Sequence, residues 1–162
     1  MIPTLRTFRL TLRQLKMNDD NEIFFLRSDE RILKYLDMPP AATIDDARMF
    51  IDKIINGINK YWAITTKSND KLIGTICIWN ISADGYNADI GYVLHPDYQG
   101  KGFMQEALLK VLEYSFETMN LKSIEADVDP NNSKSIQLLK RNGFKLKQQL
   151  EKNVIYSLTK HK

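Results

Sequence analysis

The chain has little cysteine, little histidine and no long apolar run. Its single cysteine, Cys77, has no partner for an intrachain disulfide, so no disulfide framework is available and a reducing compartment is expected. Two histidines and one cysteine supply no ligand cluster of the kind that holds zinc, so no metal is expected. No apolar stretch is long enough to span a bilayer, and Met1-Ile2-Pro3-Thr4-Leu5-Arg6 lacks the apolar core of a secretory signal. A cytoplasmic protein without membrane contact is the expectation. Charge imbalance is also small, at a net +3. That suits a small polyanionic ligand and falls short of the dense basic patch of a nucleic-acid binder. No repeat, low-complexity tract or linker interrupts the sequence, so residues 1–162 read as one domain, long enough to enclose a core. Composition leaves monomer and homodimer both open.

What is present is an alternation of two periodicities. Phe8, Leu10 and Leu12 occupy every second position of a strand over Thr7–Leu15. One or two short helices follow, stopped at Asp37-Met38-Pro39-Pro40. Thr43 with Asp46 resembles a capping box for a helix that buries Ala47, Phe50, Ile51, Ile54 and Ile55. Period two returns in Tyr61–Thr66, Leu72–Trp79 and Ala88–Leu94, joined by the turns Lys67-Ser68-Asn69-Asp70 and Ser82-Ala83-Asp84-Gly85. A helix from about Phe103 to Met119 then buries Met104, Ala107, Leu108, Val111, Leu112 and Ser115 on one face. Strand Ser123–Val128, helix Ser133–Arg141 and strands Phe144–Gln148 and Asn153–Leu158 complete the chain. A meander feeding a strand–helix–strand crossover predicts an α/β (α+β) fold. Its centre is a mixed, mostly antiparallel twisted sheet of about seven strands with helices on its faces.

Between strand and helix lies Gln99-Gly100-Lys101-Gly102-Phe103-Met104. Glycines there permit tight backbone geometry. The first helical turn presents unpartnered N–H groups and the positive end of the helix dipole. With the charge of Lys101, the stretch reads as a phosphate cradle, against the plainer alternative of a loop that only turns. A Walker loop is excluded because Phe103 follows Gly102 where lysine is required. A dinucleotide fingerprint starting at Gly100 would need glycine at Gln105.

These residues resemble the GNAT superfamily of acetyl-CoA-dependent N-acetyltransferases. Gln99 and Gly102 fit its loop pattern, in which Gln or Arg is followed after two variable positions by Gly, then one variable position, then Gly or Ala. Met104 departs from the last position. Ile90-Gly91-Tyr92-Val93-Leu94-His95-Pro96 resembles the preceding strand, and Glu106-Ala107-Leu108 the start of the following helix. Asn132, Ser135 and Gly143-Phe144 fit the later Asn…Ser…Gly-Phe pattern. Thr7-Phe8-Arg9-Leu10-Thr11-Leu12-Arg13, with Trp62-Ala63-Ile64 and Ile73-Gly74-Thr75, is similar to the branch that includes ribosomal-protein N-terminal acetyltransferases.

The resemblance implies acetyl-CoA as co-substrate, with its pyrophosphate on the backbone of Gln99, Gly100, Lys101, Gly102, Phe103 and Met104. Asn132 is implied to flank it, and Val93 or Leu94 to supply the backbone N–H for the developing oxyanion. Ser135 is implied beside the leaving thiolate, with helix capping as its alternative. The tyrosine that many relatives carry falls here on Leu139 and is absent. Asp89 shares a strand face with Gly91 and Val93. Glu125 and Asp127 share a face of the neighbouring strand. Asp89 and Glu125 are the candidate bases, with solvated carboxylates as the plain alternative and orientation alone as another. Tyr35–Ala42 and Trp79 are candidate rims for the acceptor. An acceptor amine is implied, either a peptide N-terminus or a small amine such as a polyamine or aminoglycoside. A non-catalytic CoA-binding sensor remains the alternative class. Cys77 reads as a core residue, and His95 as structural.

Overall fold

The computed structural model describes residues 2–161. Its elements are β1 (Leu5–Arg6), β2 (Leu10–Arg13), α1 (Asp20–Leu26), α2 (Glu30–Leu33), α3 (Ile44–Ile55), β3 (Lys60–Thr66), β4 (Asn69–Trp79) and β5 (Asn87–Leu94). They continue with α4 (Phe103–Glu117), β6 (Ser123–Val128), α5 (Ser133–Arg141), β7 (Lys145–Gln149) and β8 (Val154–Thr159). Single 3-10 turns at Met17–Asp19 and Pro96–Tyr98 lead into α1 and follow β5. All strands join one eight-stranded sheet in the order β1-β2-β3-β4-β5-β6-β8-β7. Every pairing is antiparallel except β5 with β6. Among the described residues no helix is long and apolar enough to cross a membrane.

The eighth strand comes from the N-terminus. The expected single strand over Thr7–Leu15 is a small hairpin, turned where Thr7 N–H donates to Leu10 O at 3.0 Å. Phe8 sits in that turn and is 89% exposed, so it does not belong to the buried alternation that Leu10 and Leu12 do form. Similarly, the turn after β3 is shorter than expected. β4 already begins at Asn69, and a register shift lies opposite Ile64–Thr66.

Helices cover both sheet faces because both faces of the central strands are apolar. Leu10, Leu12, Trp62, Ile76, Ile78 and Ile90 meet Ala107, Leu108 and Val111 of α4, with Leu139 of α5 in the same core. On the other side Ile23, Leu26, Ile32, Ala47 and Ile51 of α1, α2 and α3 pack on Ala63 and Leu72, with Tyr61 and Val93 against them. Thr43 caps α3 as the capping box predicts, accepting from Asp46 N–H at 3.3 Å while the Asp46 carboxylate accepts from Thr43 N–H at 3.1 Å. Ile55, expected on the buried stripe, is 39% exposed because α3 ends there. The second helical layer stops over β4 and β5, and leaves the same face of β6 and β8 uncovered.

Candidate active site

The feature that organises the site is a break in strand pairing. β4 holds β5 along its length, from Trp79 opposite Asp89 to Gly74 opposite Leu94. β6 pairs with β5 only at Asn87–Ser123, Ala88–Ile124 and Asp89–Glu125. From Ile90 to Leu94 the β6-facing backbone of β5 therefore has no strand partner, and a wedge opens between the two parallel strands. Unpaired backbone groups in a sheet interior need some other partner, and Leu94 O finds one in the Gln99 side chain. Gly74 enforces the tight β4–β5 side of this arrangement: a Cβ built there would lie 2.4 Å from the carbonyl oxygen of Val93.

At the wide end of the wedge the chain turns through the glycine stretch. Gly100 has φ +78° and Gly102 φ +82°, both in the left-handed region. Nothing lies within 4 Å of a Cβ built at Gly100, so the loop there borders open space. The first α4 bond runs from Glu106 N–H to Gly102 O at 3.1 Å, which leaves the N–H groups of Phe103, Met104 and Gln105 without a helical partner. Gln99 is committed within the loop: its side-chain amide donates to Leu94 O at 3.0 Å and its N–H to Pro96 O at 3.2 Å. The Lys101 ammonium lies 5.9 Å from the centre of the Tyr98 ring. This cradle fits a diphosphate, with free N–H groups, positive helix end and a cation together.

Arg9, to which the sequence alone assigns no role, braces the cradle. Its guanidinium donates to Lys101 O at 2.9 Å and to Glu106 at 2.9 Å, and lies over the Phe103 ring at 4.4 Å. Burial would raise the Glu106 carboxyl, but hydrogen bonds from Thr7 and from Arg9 overcome this and hold it below the ordinary range. Glu106 thereby pins the first turn of α4 to the β1–β2 hairpin.

On the α4–α5 face, Tyr92 and Ser135 meet. Their hydroxyl oxygens are 2.6 Å apart. Asn132 caps α5, accepting from Ser135 N–H at 3.3 Å, and so fixes where Ser135 stands. Burial pushes the Tyr92 phenol up to about 12, with the Ser135 hydrogen bond opposing, so it stays protonated at neutral pH. Sequence reasoning misses Tyr92 because Leu139 occupies the position where a tyrosine is expected. The one signal for it is its place in the strand beside the glycine stretch.

The opposite face carries the carboxylates. Val93 packs into the α1–α3 core, and alternation puts Asp89 and Gly91 on its face. Asp89 stands opposite Glu125, and Asp127 is the next residue of β6 on that side. Asp89 is raised, first by burial and then by the charges of Glu125 and Asp127, with the Asn80 amide and Lys147 opposing. Asn80 donates to it at 3.0 Å. Glu125 is ion-paired to Lys147 at 2.5 Å. Asp127 accepts from the Asn153 amide. A cavity of about 260 Å³ lies here, lined by Asn80, Ser82, Asn87, Ala88, Asp89 and Glu125. Trp79, at 41% exposure, lies opposite Asp89 on β4. Cys77 is buried behind Gly91, its thiol pushed up to about 11 by burial. His95 stacks on Phe25 at 4.4 Å and caps the 3-10 turn through Nδ1, accepting from Asp97 N–H.

Residues 9–145 match the family model described as an acetyltransferase (GNAT) domain. The chain is 37% identical over 145 residues to the uncharacterized N-acetyltransferase p20 of Bacillus licheniformis, covering 87% of this chain and 82% of that one. It is 28% identical to a protein of Vibrio cholerae named spermidine N(1)-acetyltransferase, covering 84% and 79% of the two chains. The structure of RimL, the ribosomal L7/L12 α-N-protein acetyltransferase, in complex with coenzyme A superposes with a TM-score of 0.83 over 97% of this chain and 98% of that one. At 18% identity that superposition shows a shared fold.

Proposed function

Since this chain belongs to the GNAT acetyltransferase family, we propose that its whole length forms one catalytic domain that transfers an acetyl group from acetyl-CoA to a primary amine. The observation that carries this reading is the wedge between β5 and β6 opening directly beside the N-terminus of α4. A thioester held in that wedge is reachable from both faces of the sheet, by carboxylates from one side and by Tyr92–Ser135 from the other.

The residues take the following roles. Gly100, Lys101, Gly102, Phe103 and Met104 hold the pyrophosphate through their backbone and the Lys101 charge. Gln99 braces the turn that presents them. Val93 or Leu94 donates a backbone N–H to the oxygen that gains charge as nitrogen attacks the carbonyl carbon. Asp89 takes the proton that the ammonium must lose, through water, and its raised affinity for protons brings it nearer to that task. Glu125, already paired with Lys147, is a second carboxylate on the same face. As the C–N bond forms and the C–S bond breaks, Ser135 delivers a proton to the departing sulfur and is resupplied through Tyr92, which regains its proton from water. Asn132 fixes Ser135 by capping α5.

The carboxylate face supports a cationic acceptor. Two acidic groups lining one cavity, Asp89 and Glu125, favour an amine that arrives as a cation, in line with a small amine or a peptide N-terminus. Release of CoA from acetyl-CoA is measured with peptides, polyamines and aminoglycosides. Turnover of at least one is expected, whereas tight CoA binding with no turnover of any would identify a CoA-binding sensor instead.

A further inference from the structure

The helical layer beside β5 holds a cation that makes no direct ion pair among the described residues. Arg27 ends α1, and its Nε is buried with no hydrogen-bond partner among the described residues. Its guanidinium lies over the Phe50 ring, 4.1 Å from the centroid. Four other arginines are paired: Arg9 with Glu106 at 2.9 Å, Arg13 with Asp19 at 2.8 Å, Arg31 with Asp29 at 2.8 Å and Arg48 with Asp20 at 2.9 Å. Asp46, whose carboxylate feels the Arg27 charge, is occupied by the N–H groups of Ala42 at 2.8 Å and Thr43 at 3.1 Å. Half-buried guanidinium is costly to leave uncompensated. Stacking on an aromatic face fixes its plane and leaves its N–H edge for a planar oxyanion.

The position of Arg27 gives this edge a purpose. Phe50 meets Tyr61 edge-on at 5.8 Å, and Tyr61 lies opposite Cys77, which lies opposite Gly91. That row runs along the acceptor face straight to the wedge. Tyr61 and Gly91 are two strand spacings apart, about 10 Å. Burial raises the Tyr61 phenol and the Arg27 charge opposes it, so the guanidinium is felt on this face. Phe25, two residues before Arg27, stacks on His95 at the end of β5. The acceptor face is therefore bipolar, with Arg27 on the helical side and Asp89, Glu125 and Asp127 on the strand side.

We infer that Arg27 is a subsite for a carboxylate carried by the acceptor. The acceptor is a primary amine with a carboxylate several bonds from the reacting nitrogen, as in a short peptide with an acidic residue next to its free amino end. An α-carboxylate is too near its own amine to reach from the wedge to Arg27. A polyamine would set a second ammonium against the guanidinium. The location of the amine rests on the acetyltransferase reading above.

Two amidated dipeptides that differ only in charge, alanyl-glutamate amide and alanyl-glutamine amide, test this. Their kcat/KM values are measured by CoA release for the wild type, Arg27→Gln and Arg27→Lys. The wild type is expected to prefer the glutamate peptide by about tenfold or more, chiefly through KM. In Arg27→Gln the ratio falls to about one, and Arg27→Lys restores part of it. A structural arginine would change both peptides together and leave the ratio alone. Equal values in the wild type, or a preference that survives in Arg27→Gln, overturns the inference. Calorimetric titration of CoA-saturated protein with the two N-acetylated peptides measures the subsite without turnover. Tighter binding of the acidic product to wild type than to Arg27→Gln, with no acetylation of any amine, would keep the subsite and remove the enzyme reading. Polyamine turnover without preference for a carboxylate would do the reverse.

Discussion

Tyr92 and Ser135 come from positions 43 residues apart and meet at 2.6 Å. A hydroxyl pair of this kind acts as a unit, since each side chain orients the other's proton. Tyr92→Phe removes the phenol oxygen and keeps the ring in its packing. The expected result is a fall in kcat of roughly 10–100-fold, with the KM for acetyl-CoA nearly unchanged. Ser135→Ala should lose a similar factor, and the double variant little more than either alone. Fully multiplicative losses would show that the two hydroxyls act separately. Asp89 gives a second prediction, in pH. Its folded-state pKa is raised, so ionisation costs the folded protein more than the unfolded chain. The penalty is absent below the ordinary carboxylate range and complete above the raised value. Asp89→Asn should thus raise Tm at neutral pH, lose that advantage as pH falls through the carboxylate range, and slow turnover at the pH where Asp89 serves as base. An unchanged pH–rate profile in that variant would release Asp89 from catalysis. The sequence showed the residues that lie in strings, such as Gly100, Gly102, Asn132 and Ser135. It hid Tyr92, Arg9 and Arg27, whose meaning depends on partners brought close only by tertiary packing.

Elements were more legible than contacts because a strand or helix declares itself through its own period. β6 and α5 fall at Ser123–Val128 and Ser133–Arg141, as the alternation and the stop at Asn142-Gly143 require. The N-terminal hairpin was unreadable for the opposite reason: Phe8 extends the alternation of Leu10 and Leu12 while sitting in a turn. Periodicity also cannot say where two paired strands part, and that parting makes the site. Gly74 belongs to this scale. A Cβ there would stand 2.4 Å from Val93 O and 3.0 Å from Leu94 Cδ1, so Gly74→Ala must push β5 off β4. Its expected cost is about 1–3 kcal/mol by denaturant titration, with weakened acetyl-CoA binding as Val93 and Leu94 shift. Wild-type stability in Gly74→Ala would mean that the strands separate freely there. Thr43→Ala is the contrasting case. It removes the α3 cap for about 1 kcal/mol and leaves CoA affinity alone, because α3 packs on the sheet face opposite α4.

The whole molecule is two cores on either side of one sheet, and the proposed function puts donor and acceptor on different sides of the same wedge. The α4–α5 side carries the phosphate cradle and the hydroxyl pair. The α1–α3 side carries Arg27 and faces the carboxylates of β5 and β6. A donor bound along the wedge would bridge β5, β6 and α4, replacing partners that the parted strands do not give each other. Its binding should then stabilise the fold as a unit. At a concentration a hundredfold above Kd, a ligand that binds only the folded state adds about 2.7 kcal/mol. For a chain of this length that corresponds to a rise in Tm of about 5–10 °C. Gly102→Val separates this effect from stability itself. Gly102 has φ +82° and a Cβ there would lie 3.2 Å from Arg9 Nη2, so a β-branched residue distorts the cradle with little burden on either core. The variant should still unfold cooperatively without ligand, at a temperature lowered by the strain of a β-branched residue at positive φ (about 1–3 kcal/mol), and show almost no shift with acetyl-CoA. A full shift in Gly102→Val would place the pyrophosphate elsewhere. A shift lost together with cooperative unfolding would make Gly102 a folding residue rather than a binding one.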